Sequence, residues 1–164
     1  MPNWCINHTE IEFADQESAK DFVEKYITKG ERPQDPKIFD FGKLIPLDEG
    51  DSQNRFHDFR QKQAWGTKWP AALREDKLDG PSLSLDYDTA NNPATKVLMH
   101  LVQNKAKYNI LTVYSEAAEA GNKFGEIFDD GAVQDIKNLK ENQDQFHYVD
   151  LSPFFDNEEP APGR

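Results

Sequence analysis

Leu83-Ser84-Leu85-Asp86-Tyr87-Asp88 alternates apolar and polar residues without a break. That is the period-2 signature of a strand with one face in a core and the other in water. Asn91-Asn92-Pro93 follows as a helix cap with a proline suited to the first turn, and Ala94, Val97, Leu98, Leu101 and Val102 then recur at helical spacing. Ile110-Leu111-Thr112-Val113-Tyr114 is rich in β-formers and is expected to return as a central strand.

Toward the N-terminus the same pattern repeats. Over residues 4–13, Cys5, Thr9, Ile11 and Phe13 fall on one side of a strand and His8, Glu10 and Glu12 on the other. Asp15 is placed to cap a helix carrying Ala19, Phe22, Val23, Tyr26 and Ile27, which Lys29-Gly30 is expected to close. Pro33 and Pro36 punctuate a loop before Ile38-Phe39-Asp40-Phe41, expected to be a strand ending near Pro46.

Residues from about 47 to 80 look like an insertion. Its first part is polar, with Phe56 and Phe59 spaced for one side of a short helix, and Trp65-Gly66-Thr67-Lys68-Trp69-Pro70 reads as a compact, packed loop. The charged run from Arg74 to Pro81 is expected to be mobile. Beyond the central strand, residues 124–128 and 132–136 around Asp129-Asp130-Gly131 suggest a hairpin, and the acidic, proline-bearing residues 156–164 a disordered tail. The order predicts a single α+β domain over 1–155, a ferredoxin-like split βαβ sandwich: a mainly antiparallel sheet with two helices on one face, plus a C-terminal hairpin extension. The tryptophan loop and the C-terminal segment are then the candidates to cover the other face.

Composition narrows the function. Although only 37% of the 164 residues are hydrophobic, eleven Phe, five Tyr and three Trp supply enough bulk for a core. A formal net charge of −11 disfavours direct contact with nucleic acid or an anionic membrane and favours a basic partner. The lone Cys5 excludes an intrachain disulfide and suits a reducing compartment. With neither a basic-then-apolar leader nor a membrane-length apolar run, a cytoplasmic location is expected. Phosphate-binding glycine loops, serine elbows and paired-cysteine zinc motifs are absent, so no cofactor is expected.

Several motifs together carry a resemblance. Met1-Pro2-Asn3-Trp4-Cys5 with Asn7, Phe39-Asp40-Phe41 leading into Ile45-Pro46, Trp65-Gly66-Thr67-Lys68-Trp69, Asp88-Thr89-Ala90 with Pro93, Tyr114-Ser115-Glu116, Phe124-Gly125 and Asp130-Gly131 occur in this order. The chain thereby resembles the YubB ferredoxin-like family of phage and plasmid proteins over about its first 131 residues. It departs at Asn91-Asn92, where that family has a tryptophan and a second proline. The resemblance implies a ferredoxin-like fold and a mobile-element origin, without an established reaction.

Four groups of residues are candidate sites, each with a plainer alternative. Trp65, Lys68 and Trp69 could make a cation–π binding site, or simply cap the open sheet face; Tyr114 and Glu116 are further binding candidates. Asp86, Asp88 and Glu116 could converge to hold a divalent metal for hydrolase or nuclease chemistry, or be the wet side of a strand. Cys5 and His8 are too poorly placed for nucleophile and base, since residues three apart on a strand face opposite ways, and His57, His100 and His147 show no metal-ligand spacing. From Glu126 to Glu159 ten acids stand against Lys137 and Lys140, which could mimic a nucleic-acid backbone in the basic cleft of a host protein, or merely keep the surface solvated. The expectation is binding of a host macromolecule rather than catalysis, with inhibition of host defence as the sharpest form and the metal-dependent hydrolase as the alternative.

Overall fold

The alternation around Leu85 does produce a strand, and it lies next to the one read from residues 4–13. The computed structural model describes residues 3–47, 58–119, 125–131 and 146–154. Its strands are β1 (Trp4–Phe13), β2 (Ile27–Thr28), β3 (Ile38–Phe39), β4 (Lys68–Asp79), β5 (Ser82–Ala90), β6 (Ile110–Glu119), β7 (Gly125–Asp129) and β8 (Phe146–Asp150). Its helices are α1 (Gln16–Tyr26), α2 (Phe41–Leu44), α3 (Asp58–Trp65), α4 (Thr95–Gln103) and α5 (Lys105–Tyr108), with a 3-10 turn at Ser152–Phe154. Among the described residues the strands form one eight-stranded sheet ordered β2-β3-β4-β5-β1-β6-β7-β8. Only β7 and β8 pair in parallel; the other neighbours are antiparallel. The protein is therefore a mixed α+β structure on a mainly antiparallel sheet.

The helices and the inward residues of the strands share one hydrophobic cluster. Ile11 and Phe13 of β1, Leu83, Leu85 and Tyr87 of β5 and Val113 of β6 meet Phe22 of α1 and Val97, Leu98, Leu101 and Val102 of α4 there. A single cluster spanning both helices means they cover the same face, the inner one. Asp15 caps α1 as its sequence suggests, accepting from the Ser18 N–H at 2.7 Å.

Several expectations change. The first helix stops at Tyr26, before Lys29-Gly30, because Ile27-Thr28 leaves it to pair with Ile38-Phe39. The strand at Ile38 ends at Phe39, since Asp40 turns the chain into α2 by accepting from the Lys43 N–H at 3.2 Å. Asn91-Asn92 does not cap the next helix: Asn91 adopts φ 67° and its side chain accepts from the Asn3 N–H, while α4 starts after Ala94 without a side-chain cap.

The largest difference is in the region read as an insertion. Residues 48–57, with Phe56 and His57, lie outside the described residues, but from Lys68 onward the chain is sheet, so that region ends well before residue 80. The run Arg74–Asp79 belongs to β4 and pairs with β5 as far as Asp79 opposite Ser82. Gly80-Pro81 closes this hairpin, with Gly80 at φ 61° as the first residue of a type II′ two-residue turn demands. The hairpin expected over 124–136 also changes: β7 is flanked by β6 and β8, so both its edges are occupied, and residues 132–136 lie outside the described set. The tail at 156–164 likewise lies outside it.

Candidate functional site

Every second residue of β1 and β5 points away from the helices. On β1 these are Trp4, Ile6, His8, Glu10 and Glu12; the register sets His8 opposite Asp86 of β5 and Glu116 of β6, and Glu10 opposite Ser84 and Tyr114. Trp4 and Ile6 remain 42% and 40% exposed, an uncommon position for large apolar side chains in mid-sheet. Among the described residues no helix contributes to this outer face over β1 and β5. It closes toward β7, whose outward residues Ile127 and Asp129 are fully buried.

Trp65 and Trp69 part company. Trp65 ends α3 fully buried on the inner side, its ring 5.7 Å from that of Phe41 and its N–H donating to the Ile45 carbonyl at 2.9 Å. Gly66, at φ 87°, then lets the chain turn so closely past α4 that a side chain there would come within 3.0 Å of the Thr95 and Lys96 amides. Thr67 anchors the turn by donating its hydroxyl to the Ala90 carbonyl at 2.9 Å. Trp69 emerges near Trp4, with ring centroids 6.3 Å apart, and Lys68 Nζ stands 4.5 Å from the Trp69 ring. The expected cation–π contact exists, but the pair does not cap the sheet together: Trp65 is inner core, and the aromatic partner of Trp69 is Trp4, which sequence reasoning missed although its alternation with Cys5 placed it outward.

Asp86, Asp88 and Glu116 do share the outer face, but each of the two aspartates is engaged separately. Asp86 meets His8 Nδ1 at 2.8 Å, and Asp88 lies 3.0 Å from Arg74 Nε. His8 occupies the row between Asp86 and Glu116 and reaches Glu10 with Nε2 at 2.8 Å. Burial would lower the His8 pKa, but hydrogen bonds to Glu10 and Asp86 and their negative charge outweigh it, so it is raised. Among the described residues no three His, Cys, Asp or Glu side chains form a group able to hold a metal ion. Cys5 lies on the inner side, opposite to His8, and burial, with Glu119 second, pushes its thiol pKa up. His100 bonds Tyr108 at 2.7 Å, and His147 is exposed on the edge strand β8.

Tyr114 and Glu116, two apart on β6, come together in a cavity of about 370 Å³. Glu10 and Glu12 of β1, Ser82 and Ser84 of β5 and Thr112 of β6 complete its polar lining, and no lysine or arginine is among the lining residues. Ser82 donates its hydroxyl to Glu12. Tyr114 is only 9% exposed, and its hydroxyl is buried beside Glu116. Burial first, then the charge of Glu116 and a hydrogen bond to it, with the charge of Glu10 behind, raise its pKa well beyond the usual tyrosine range.

The acidic C-terminal stretch is divided. Residues 132–145 and 155–164 lie outside the described set. Of the acids in the described part, Asp129 and Asp130 are buried rather than on the surface. Asp130 holds Lys105 at 2.7 Å and accepts from the Val113 N–H, so these two carboxylates serve the fold and present no charge to a partner. No helix among the described residues is long and apolar enough to cross a membrane. The chain matches no family model, no curated protein and no solved structure.

Proposed function

We propose that this chain is a binding protein that docks a basic host macromolecule, most simply a basic or nucleic-acid-binding protein, on the outer face of its sheet. The observation that carries the reading is the make-up of that face over β1, β5 and β6. Glu10, Glu12, Asp86, Asp88 and Glu116 occupy its middle, and exposed Trp4 and Ile6 with Trp69 form an apolar end. Carboxylates around an aromatic anchor suit a partner that is steered by charge and held by a few buried rings.

The fold reading that accompanies it is a ferredoxin-like core. Its support is the order β4-β5-β1-β6, with α1 leading from β1 toward the β4 side and α4 from β5 to β6, the arrangement expected of two interleaved split βαβ units. With the motif resemblance to the YubB family, this favours an accessory protein of a phage or plasmid acting in the host cytoplasm, where blocking a basic surface of a defence protein or nuclease is a coherent use for such a face.

The test must separate this face from the net charge of the whole chain. Binding to protamine, an arginine-rich protein, is measured for Glu10→Lys/Glu116→Lys and for Glu24→Lys/Glu31→Lys, which makes the same change in net charge at exposed positions elsewhere. The outer-face pair is expected to weaken binding at least about tenfold and the control pair less than about threefold. Equal weakening by both would reduce the interaction to bulk charge and remove the reading.

A further inference from the structure

His8 sits in the middle of the outer face and uses both of its ring nitrogens. Nδ1 lies 2.8 Å from a carboxylate oxygen of Asp86 on β5, and Nε2 lies 2.8 Å from a carboxylate oxygen of Glu10, two residues further along β1. An ionised carboxylate can only accept, so each contact needs a proton on the nitrogen. A neutral imidazole carries one N–H and can serve one of the two; imidazolium serves both. The geometry therefore belongs to protonated His8, and one contact must be given up when the ring loses its proton.

The surroundings decide which contact goes. His8 is the one basic residue of β1. On β6, Glu116 stands opposite it, and Tyr114, diagonal to it, is kept neutral by burial and by Glu116. The cations of β4 are one strand further off: Arg74 is paired with Asp88 of β5, and Lys77 lies opposite Ser84, while Glu75 adds a carboxylate opposite Asp86. Asp86 carries a short side chain, 39% exposed, whereas the longer one of Glu10 is 58% exposed. Fixing Glu10 costs more side-chain entropy, and its carboxylate is better hydrated when free. Neutral His8 therefore keeps its remaining proton on Nδ1 for Asp86, and the bare Nε2 turns Glu10 away.

We propose that His8 is a proton-operated latch on Glu10: the charged ring holds that carboxylate down, and the neutral ring releases it to a docked basic partner. This rests on the reading of the outer face as a docking surface and adds its regulation. Release also removes a positive charge, so the face gains one negative unit together with a free carboxylate. Docking of a basic partner should tighten as pH rises across the histidine range. The stability that the same ring lends the fold runs the other way, being greatest while the ring is charged.

The experiment follows the intact protein by NMR from about pH 5.5 to about pH 8.5 and, over the same range at fixed salt, measures its affinity for protamine, whose arginines do not titrate there. Both His8 ring nitrogens should be protonated at the acid end and Nδ1 alone at the basic end. The Glu10 carboxylate carbon should shift together with the ring, far above the range near about pH 4 where a glutamate itself titrates. Protamine affinity should rise about threefold to fivefold more in the parent than in His8→Gln. His147→Gln, which changes an exposed histidine of β8 outside this row, should keep the parent's rise. A neutral ring protonated on Nε2, a Glu10 carbon that ignores the ring, or equal rises in the parent and His8→Gln overturns the latch. If it is overturned while protamine still distinguishes the outer-face charge reversals from the control pair, the latch falls and the docking surface stands; if protamine does not distinguish them, both fall.

Discussion

The inner and outer faces of β1 and β5 are built from alternate residues of the same strands, yet they handle polar groups in opposite ways. On the inner face the polar residues are neutral and satisfy one another. Asn7 Nδ2 donates to Thr89 Oγ1 at 3.0 Å and to the Cys5 carbonyl at 3.1 Å, while the Thr9 hydroxyl is 2.8 Å from both the Tyr87 and the Ser115 hydroxyl. Burial also pushes the Tyr87 pKa up to about 12, which keeps the phenol neutral. On the outer face many of the polar residues are titratable: His8 pairs with Asp86 across strands and with Glu10 along its own strand, and Arg74 pairs with Asp88 across strands. Low dielectric penalises polar groups that are not bonded and charges that are not paired, whereas a wet face can carry charges at little cost. The division shows which residues the fold needs and which it leaves to function.

The contrast is sharpest between two tryptophans. Trp65→Ala should cost about 3–5 kcal/mol, because it empties a fully buried site beside Phe41 and leaves the Ile45 carbonyl without its donor. Trp4→Ala should cost less than about 1.5 kcal/mol, since Trp4 is 42% exposed and its ring contact is with Trp69. Urea unfolding of both variants measures the difference. Comparable losses would mean that Trp4 belongs to a core and that the outer face is not a surface held in reserve.

Between the faces sits Gly66, where the chain crosses from buried Trp65 to outward Trp69. Gly66→Ala should destabilise by about 1–3 kcal/mol, combining a left-handed φ of 87° with a Cβ 3.0 Å from two backbone amides of α4. Thermal unfolding checks the size, and fluorescence quenching by acrylamide checks the place: Trp69 and Trp4 should become more accessible while Trp65 stays protected. A neutral substitution would show that the crossing is not pinned against α4.

Periodicity made the inner face legible. Leu83, Leu85 and Tyr87, and the stripe Val97, Leu98, Leu101 and Val102, are buried as their spacing requires, because apolar burial is large enough to override most local signals. The hairpin of β4 and β5 was obscured because its strand is charged, with Arg74, Glu75, Asp76 and Lys77 in sequence; the two-residue Gly80-Pro81 turn was the better signal. The candidate site was legible only in part. Alternation places His8 with Glu10 and Glu12, and Asp86 with Asp88, but that His8 stands between Asp86 and Glu116 depends on the register of three strands distant in sequence. No local pattern encodes that register. The burial of the Tyr114 hydroxyl beside Glu116 is invisible to sequence for the same reason: it follows from what β1 and β6 place around it.

His8 offers the smallest and most diagnostic measurement on the outer face. Burial alone would lower its pKa, but Glu10 and Asp86, each 2.8 Å away, raise it above its ordinary value. A histidine whose pKa is higher folded than unfolded stabilises the fold most when the unfolded form is also protonated, below about pH 6.5. That contribution fades as pH climbs through the raised folded value and the imidazolium loses its proton. The melting temperature of the parent should therefore exceed that of His8→Gln by the widest margin near about pH 5.5, and the margin should shrink toward about pH 8.5. Because the side chain of His8 is 34% exposed, water and salt screen the pairs, so the margin should also narrow in 0.5 M salt, on the order of three times physiological ionic strength. A margin that is flat in pH, or that widens as pH rises, would mean that neutral histidine holds the row. The outer face would then resemble the inner one, a network of uncharged hydrogen bonds, and its value as a charged docking surface would rest on the glutamates alone.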